Sequence, residues 1–226
     1  MKKKLLLLSC LSSIVFASNL HAHEQKTGFY VNVPVGYSFV SKPKTGVTYS
    51  DAKLKNATIF GIGAGYDFDV VRAELNLTFR NKYKFTNNDI ATSLNSTRSF
   101  LPFNIKATTL MLDLYKDFAI GSDLTPFVFA GIGYSKISTG DYNYQSTSTI
   151  SYAVTTLNTV AGKSSNSFAW RLGFGGSYKI NQIVSLNLSY SYTHVGSVSR
   201  VNPKTAVNDK IKINANEIIA GVRFSL

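Results

Sequence analysis

Arg72 and Glu74 stand two residues apart in the stretch VVRAELNLTFR (70–80), and Asp113, Arg171, Glu217 and Arg223 each sit beside an apolar neighbour. In an extended strand, alternate side chains share a face, so each of these charges points away from a greasy row. Carboxylates and guanidiniums placed this way belong in buried ion pairs, because a buried charge left alone costs several kcal/mol. Pairing is expected among Arg72, Glu74, Asp113 and Arg223 at one end of a sheet, and around Arg171 and Glu217 towards the other. Acid–base catalysis would need a nucleophile and a base within reach of such carboxylates. His194, three residues before Ser197, is the one histidine inside the patterned chain, and by parity it faces outward with Tyr190 and Tyr192. A lipid-modifying hydrolase could use a base on that face, but no acid lies nearby in sequence. An interfacial histidine is the simpler reading. With no metal-ligand cluster and no phosphate-cradling glycine loop, the expected catalytic, metal and cofactor sets are empty.

A second set of residues could bind rather than react. Lys42, Lys44, Lys53, Lys55, Lys82, Lys84, Arg200 and Lys204 fall in polar stretches between the alternating segments. The formal charge is +12, or +9 once Lys2, Lys3 and Lys4 are set aside, and +7 of that lies in four long connections. A basic surface of this kind attracts sulfated glycans, anionic headgroups or acidic protein segments, with salt-sensitive strength. Nucleic acid is not an expected partner, since no nucleic-acid-binding motif is present.

Eight segments must carry these residues. They run from Phe29 to Phe39, Phe60 to Tyr66, Val71 to Arg80, Thr108 to Lys116, Val128 to Lys136, Phe168 to Tyr178, Val184 to Thr193, and Glu217 to Leu226. In each, apolar and polar or glycine positions alternate: Leu75 and Leu77 against Glu74 and Asn76, Leu186 and Leu188 against Ser185 and Asn187. Pro34 lacks an N–H and counts against a regular central strand in the first segment. The connections alternate long and short. The long ones are about 41–57, 81–104, 138–166 and 196–210, and the short ones lie near 67–70, 117–125 and 180–182. That sorting is the mark of an outer-membrane barrel, with short periplasmic turns and long outer loops. The expected fold is all-β, an eight-stranded antiparallel up-and-down transmembrane β-barrel with lipid outside. Tyr190, Tyr192 and Trp170 would form part of the outer aromatic girdle, and Tyr66, Phe68, Phe118 and Tyr178 part of the inner one. A barrel of eight strands has an interior filled by side chains, which argues against a general diffusion porin.

The first residues read as a secretory signal. Lys2 to Lys4 form a basic n-region, Leu5 to about Phe16 an apolar h-region, and cleavage is expected between Ala22 and His23, leaving a barrel over 23–226. Cys10 would leave with the signal, so no disulfide is expected in the mature chain. No later apolar run approaches the ~18 residues of a spanning helix.

TLMLDLYKDF (109–118), TPFVFAGIGYS (125–135), SFAWRLGFGGSYKINQIVSLNLSYSYTHVG (167–196) and EIIAGVRFSL (217–226) resemble the opacity/OmpX-like surface-antigen barrels. Within that group, Lys42, Pro43 and Lys44 and the closing AGVRFSL are similar to rickettsial adhesins, although Leu226 stands where Phe is commonest. The resemblance implies an eight-stranded barrel whose loops contact host components, vitronectin for that adhesin type; a monomer is expected. The alternative is a narrow channel or a purely structural membrane stabiliser.

Overall fold

The computed structural model describes residues 27–41, 53–86, 91–93, 96–100, 103–148, 155–201 and 208–226. The signal segment, Lys42, Lys44 and Lys204 lie outside these residues. Eight long strands carry the fold: β1 (Gly28–Val40), β3 (Ala57–Asp67), β4 (Val71–Thr86), β7 (Phe103–Asp117), β8 (Leu124–Thr139), β11 (Ser164–Lys179), β12 (Val184–Val201) and β13 (Asn208–Ser225). Each is antiparallel to its neighbours in the chain, and β13 closes on β1 from Tyr30↔Ser225 to Val40↔Ala215. With β4 also paired to β7, the sheet has no free edge. The eight alternating segments of the sequence are these eight strands.

Closure sorts the side chains. Arg72, Glu74, Asn76, Thr78 and Arg80 are buried in the lumen, whereas Leu75 of the same strand is 52% exposed. Leu112, Leu186 and Phe174 are likewise 49%, 44% and 60% exposed, on the outside of a closed sheet. A protein in water turns such rows inward; a barrel in lipid turns them out. Aromatic rings cluster at both rims of this apolar belt. Tyr66 packs against Phe29 and Phe68 at the turn end (centroids 4.9 and 4.7 Å), and Trp170 against Tyr192 at the loop end (5.6 Å).

Pro34 is accommodated inside β1. The ladder to β3 is interrupted at Val33 and Pro34 and resumes in the same register at Val35↔Phe60, while Pro34 still pairs with Gly221 of β13. One lost hydrogen bond is tolerated because the barrel holds the strand on both sides.

The long connections differ from expectation. Much of 81–104, 138–166 and 196–210 is strand: β4, β8, β12 and β13 run on past the apolar belt, and five short strands are added. Of these, β2 (Lys53–Leu54) pairs with β4, while β5 (Ala91–Ser93), β6 (Ser96–Phe100), β9 (Tyr142–Ser148) and β10 (Thr155–Val160) form a second sheet in the order β10-β9-β6-β5. Beyond the apolar belt the outward face meets water, and the bulges interrupt the period of two, so apolar alternation, the signal that marks a half-buried strand, is lost there.

Two bulges reset the alternation at the loop end. In β4 the register to β7 shifts between Arg80 and Tyr83, with Lys82 in the left-handed region (φ 37°). In β12 it shifts between His194 and Gly196, where φ is 133° and a Cβ would lie 2.7 Å from that of Ser167. Gly196 is therefore required by both conformation and space. After the bulges, Tyr83 and Val198 point inward although they break the parity of their strands.

Candidate functional site

Five exposed lysines at the loop end lie on or beside adjoining strands. Lys84 of β4 is opposite Asn104 of β7; Lys106, two residues on, is opposite Ser138 of β8; and Lys136 is opposite Thr108. Lys82 lies within the β4 bulge, and the Lys55 N–H donates to the Lys84 carbonyl at 2.9 Å, which ties Lys55 to the same flank. All five lysines are exposed. The four ion pairs among the described residues all involve arginines inside the barrel. Of the carboxylates whose side chains are described, Asp141 alone stands outside the lumen at this end, and its Oδ1 accepts the Gly162 N–H at 2.7 Å. Lys53 lies on β2 opposite Thr86, and Arg200 lies on β12 opposite Asp209.

His194 sits on the outward face, as parity requires. Its Nδ1 is 2.6 Å from Asn214 Oδ1, and its ring stacks near Trp170 with centroids 6.2 Å apart. The ring is thus held by an amide and an indole.

The lumen is layered. Nearest the turn end, Arg72 forms a two-point pair with Asp117 (2.5 and 2.9 Å) and lies 4.6 Å from the Tyr115 ring centroid. Arg223 is 3.7 Å from Asp67. Above them Arg171 pairs with Asp113 (Nε to Oδ1, 2.7 Å), and Gly131 opposite leaves the room: a Cβ there would fall on the Asp113 carboxylate. Higher still, Arg80 pairs with Glu217 at 2.7 and 3.0 Å. The partners differ from those the sequence suggested. Arg171 meets Asp113 rather than Glu217, Arg80 replaces it at Glu217, and Glu74 has no arginine at all. Asp67, Arg80 and Asp117 complete the network; Asp67 and Asp117 close their strands at the turns, where position alone reads as solvent.

Above Arg80 the lumen becomes apolar. Ala57, Tyr83, Ile105, Ala107, Ile137, Val195, Val198 and Ile213 pack together, none more than 2% exposed. The bulges deliver Tyr83 and Val198 to this plug. Among the described residues, the cavity within the lumen has a volume of only about 30 Å³, below the plug. The refolded protein is therefore expected to give no conductance steps in a planar bilayer; regular ohmic steps would show that the plug does not seal.

Comparison with known proteins decides the family. The profile described as "Outer membrane protein beta-barrel domain" matches residues 6–224. The chain belongs to this family. Its relatives include outer membrane protein PagN of Salmonella typhimurium, 26% identical with 96% of this chain and 97% of that protein covered. A protein of Rickettsia bellii named "Putative adhesin" is 29% identical, with 99% and 100% covered. Neisserial surface protein A shares the fold with a TM-score of 0.50 at 17% identity, over 89% of this chain and all of that one. OprG from Pseudomonas aeruginosa does so at 0.50 and 14%, over 91% and 99%.

As a member of this barrel family, the chain crosses the bacterial outer membrane with its eight strands. The short turns face the periplasm and the loop end faces out, as such barrels are built. Lys106 and Lys136 then stand outside the apolar belt, Lys136 directly beyond Tyr134, where long side chains reach headgroup height. Sequence reasoning passed over both because they lie in strands rather than connections. The available signal was a lysine on the lipid-side row: Lys106 follows Leu110 and Thr108 outward, and Lys136 follows Ile132 and Tyr134.

Proposed function

We propose that this outer-membrane barrel is an adhesin that binds sulfated polysaccharide at a host surface through its basic outer flank. The observation that carries the reading is the row of exposed lysines Lys55, Lys82, Lys84, Lys106 and Lys136 on or beside neighbouring strands, none of them engaged in the four ion pairs among the described residues. Lys42, Lys44, Lys53, Arg200 and Lys204 extend the same charge in sequence. A linear polyanion meets such a row at several points at once, so modest single contacts combine into useful affinity. The name of the Rickettsia bellii relative supports a role in attachment.

Heparin is the probe. Binding of the refolded barrel in nanodiscs is expected to weaken steeply with added salt. Exposed charge contacts contribute roughly 0.2–1 kcal/mol each, so replacing the five flank lysines by glutamine should lower affinity by about fivefold or more and flatten the salt dependence. Retained heparin affinity in that variant would overturn the reading. Vitronectin, tested in parallel, separates the sequence-based alternative: vitronectin binding without heparin binding would place the contact on protein rather than glycan.

A further inference from the structure

The charge in the lumen does not balance. Among the described residues five carboxylates, Asp67, Glu74, Asp113, Asp117 and Glu217, face four guanidiniums, Arg72, Arg80, Arg171 and Arg223. Arg72, Arg80 and Arg171 each hold a carboxylate by hydrogen bonds, Arg223 stands 3.7 Å from Asp67 without one, and Glu74 is left over. It is 1% exposed, and its Oε1 accepts from two amides instead, Asn76 Nδ2 at 2.5 Å and Asn32 Nδ2 at 3.3 Å.

The 30 Å³ cavity lies beside it; its lining includes the polar side chains of Glu74, Asn32, Asn76, Asn187, Ser189 and Thr78, together with the apolar Ile59, Phe127, Phe129 and Ile219. Because Asn32 and Asn76 turn their NH₂ groups to the carboxylate, their carbonyl oxygens are left without a hydrogen-bond partner, and so is Asn187 Oδ1. Asn32 and Asn76 are 8% and 3% exposed, so these are buried, unpartnered oxygens. Reversing either amide would set a carbonyl against the Glu74 oxygen, so the orientation is fixed by charge. Two glycines make the room. A Cβ at Gly63 would lie 2.7 Å from Glu74 Oε1, and one at Gly221 would lie 2.8 Å from Asn32 Oδ1.

We propose that this cavity binds one monovalent alkali cation such as sodium. A carboxylate with several neutral carbonyl oxygens is the donor set that hard cations take. The charge is set by the imbalance of one: Arg72 and Arg171 also line the cavity, but each is neutralised by its own carboxylate, Asp117 and Asp113. A proton on Glu74 could satisfy a single acceptor and leave other carbonyl oxygens unmatched; a cation serves them together. The apolar plug closes the outer side, so the ion is structural and does not permeate. The site is independent of the adhesive flank.

Equilibrium dialysis of the refolded barrel against radiosodium tests it. One sodium retained per barrel is expected, with retention lost in Glu74→Gln. A ligand that binds only the folded state also raises its stability. The unfolding midpoint should therefore be higher in sodium chloride than in N-methylglucamine chloride at equal ionic strength. That difference should vanish in Glu74→Gln and shrink in Asn187→Leu, which keeps the carboxylate and removes one oxygen should the first variant fail to fold. No retained sodium, equal retention by the variants, or equal midpoints in the two salts would overturn the proposal.

Discussion

Replacing Arg80 by alanine is expected to destabilise the barrel by about 3–5 kcal/mol, the range for breaking one side of a buried ion pair. Glu217 is fully buried and receives Arg80 twice, Ser38 at 3.1 Å and Thr193 at 2.8 Å. Arg80 also donates to Thr109 at 2.8 Å, which in turn donates to Ser135. The network around this one guanidinium thus joins six strands, β1, β4, β7, β8, β12 and β13, just under the plug. Its loss leaves a carboxylate solvated by two hydroxyls in a space with little room for water. The neutral pair Arg80→Met with Glu217→Leu should recover most of the loss, because matched apolar side chains remove the charge that needs a partner. Urea unfolding in lipid vesicles measures both. An Arg80→Ala barrel within about 1 kcal/mol of the parent would mean that water already reaches Glu217.

Leu112→Arg is expected to cost about 2–4 kcal/mol in a bilayer, the depth-dependent penalty for a cation at the midplane of a barrel's lipid face. Leu112 sits in the middle of the belt, paired with Leu75 on one side and Ile132 on the other, and all three side chains point outward. The same change at Thr108, nearer the lysine row, should cost much less. A water-exposed sheet would tolerate an exposed Leu→Arg almost without effect. Comparable stability of the two variants in vesicles would therefore remove the membrane account.

What could be read in the sequence was whatever the bilayer imposes. Leu75, Leu112 and Leu186 face hydrocarbon and their neighbours face a packed lumen, so the period of two is unbroken for as long as the strand is in lipid. Where that constraint ends, the pattern ends with it. The extensions of β8 and β12, and the sheet of β5, β6, β9 and β10, alternate nothing and passed for loops. Partner choice among charges needs register, which depends on shear and on two bulges that no composition announces. Arg171 reaches Asp113 across Gly131 because β11, β8 and β7 align in that order. Arg80 looked like the edge of a loop, but β4 continues six residues past it, to Thr86. The basic flank was visible as lysines in number and invisible as a row, since Lys106 and Lys136 join Lys84 only through cross-strand pairing.

The plug of Tyr83, Ile137, Val198 and Ile213 sits between the ionic lumen and the displayed surface. Segments beyond it can exchange residues, lengthen or shorten without perforating the cell envelope, because the permeability barrier lies beneath them. Variation in the outward segments and the integrity of the wall are thereby governed by separate sets of residues.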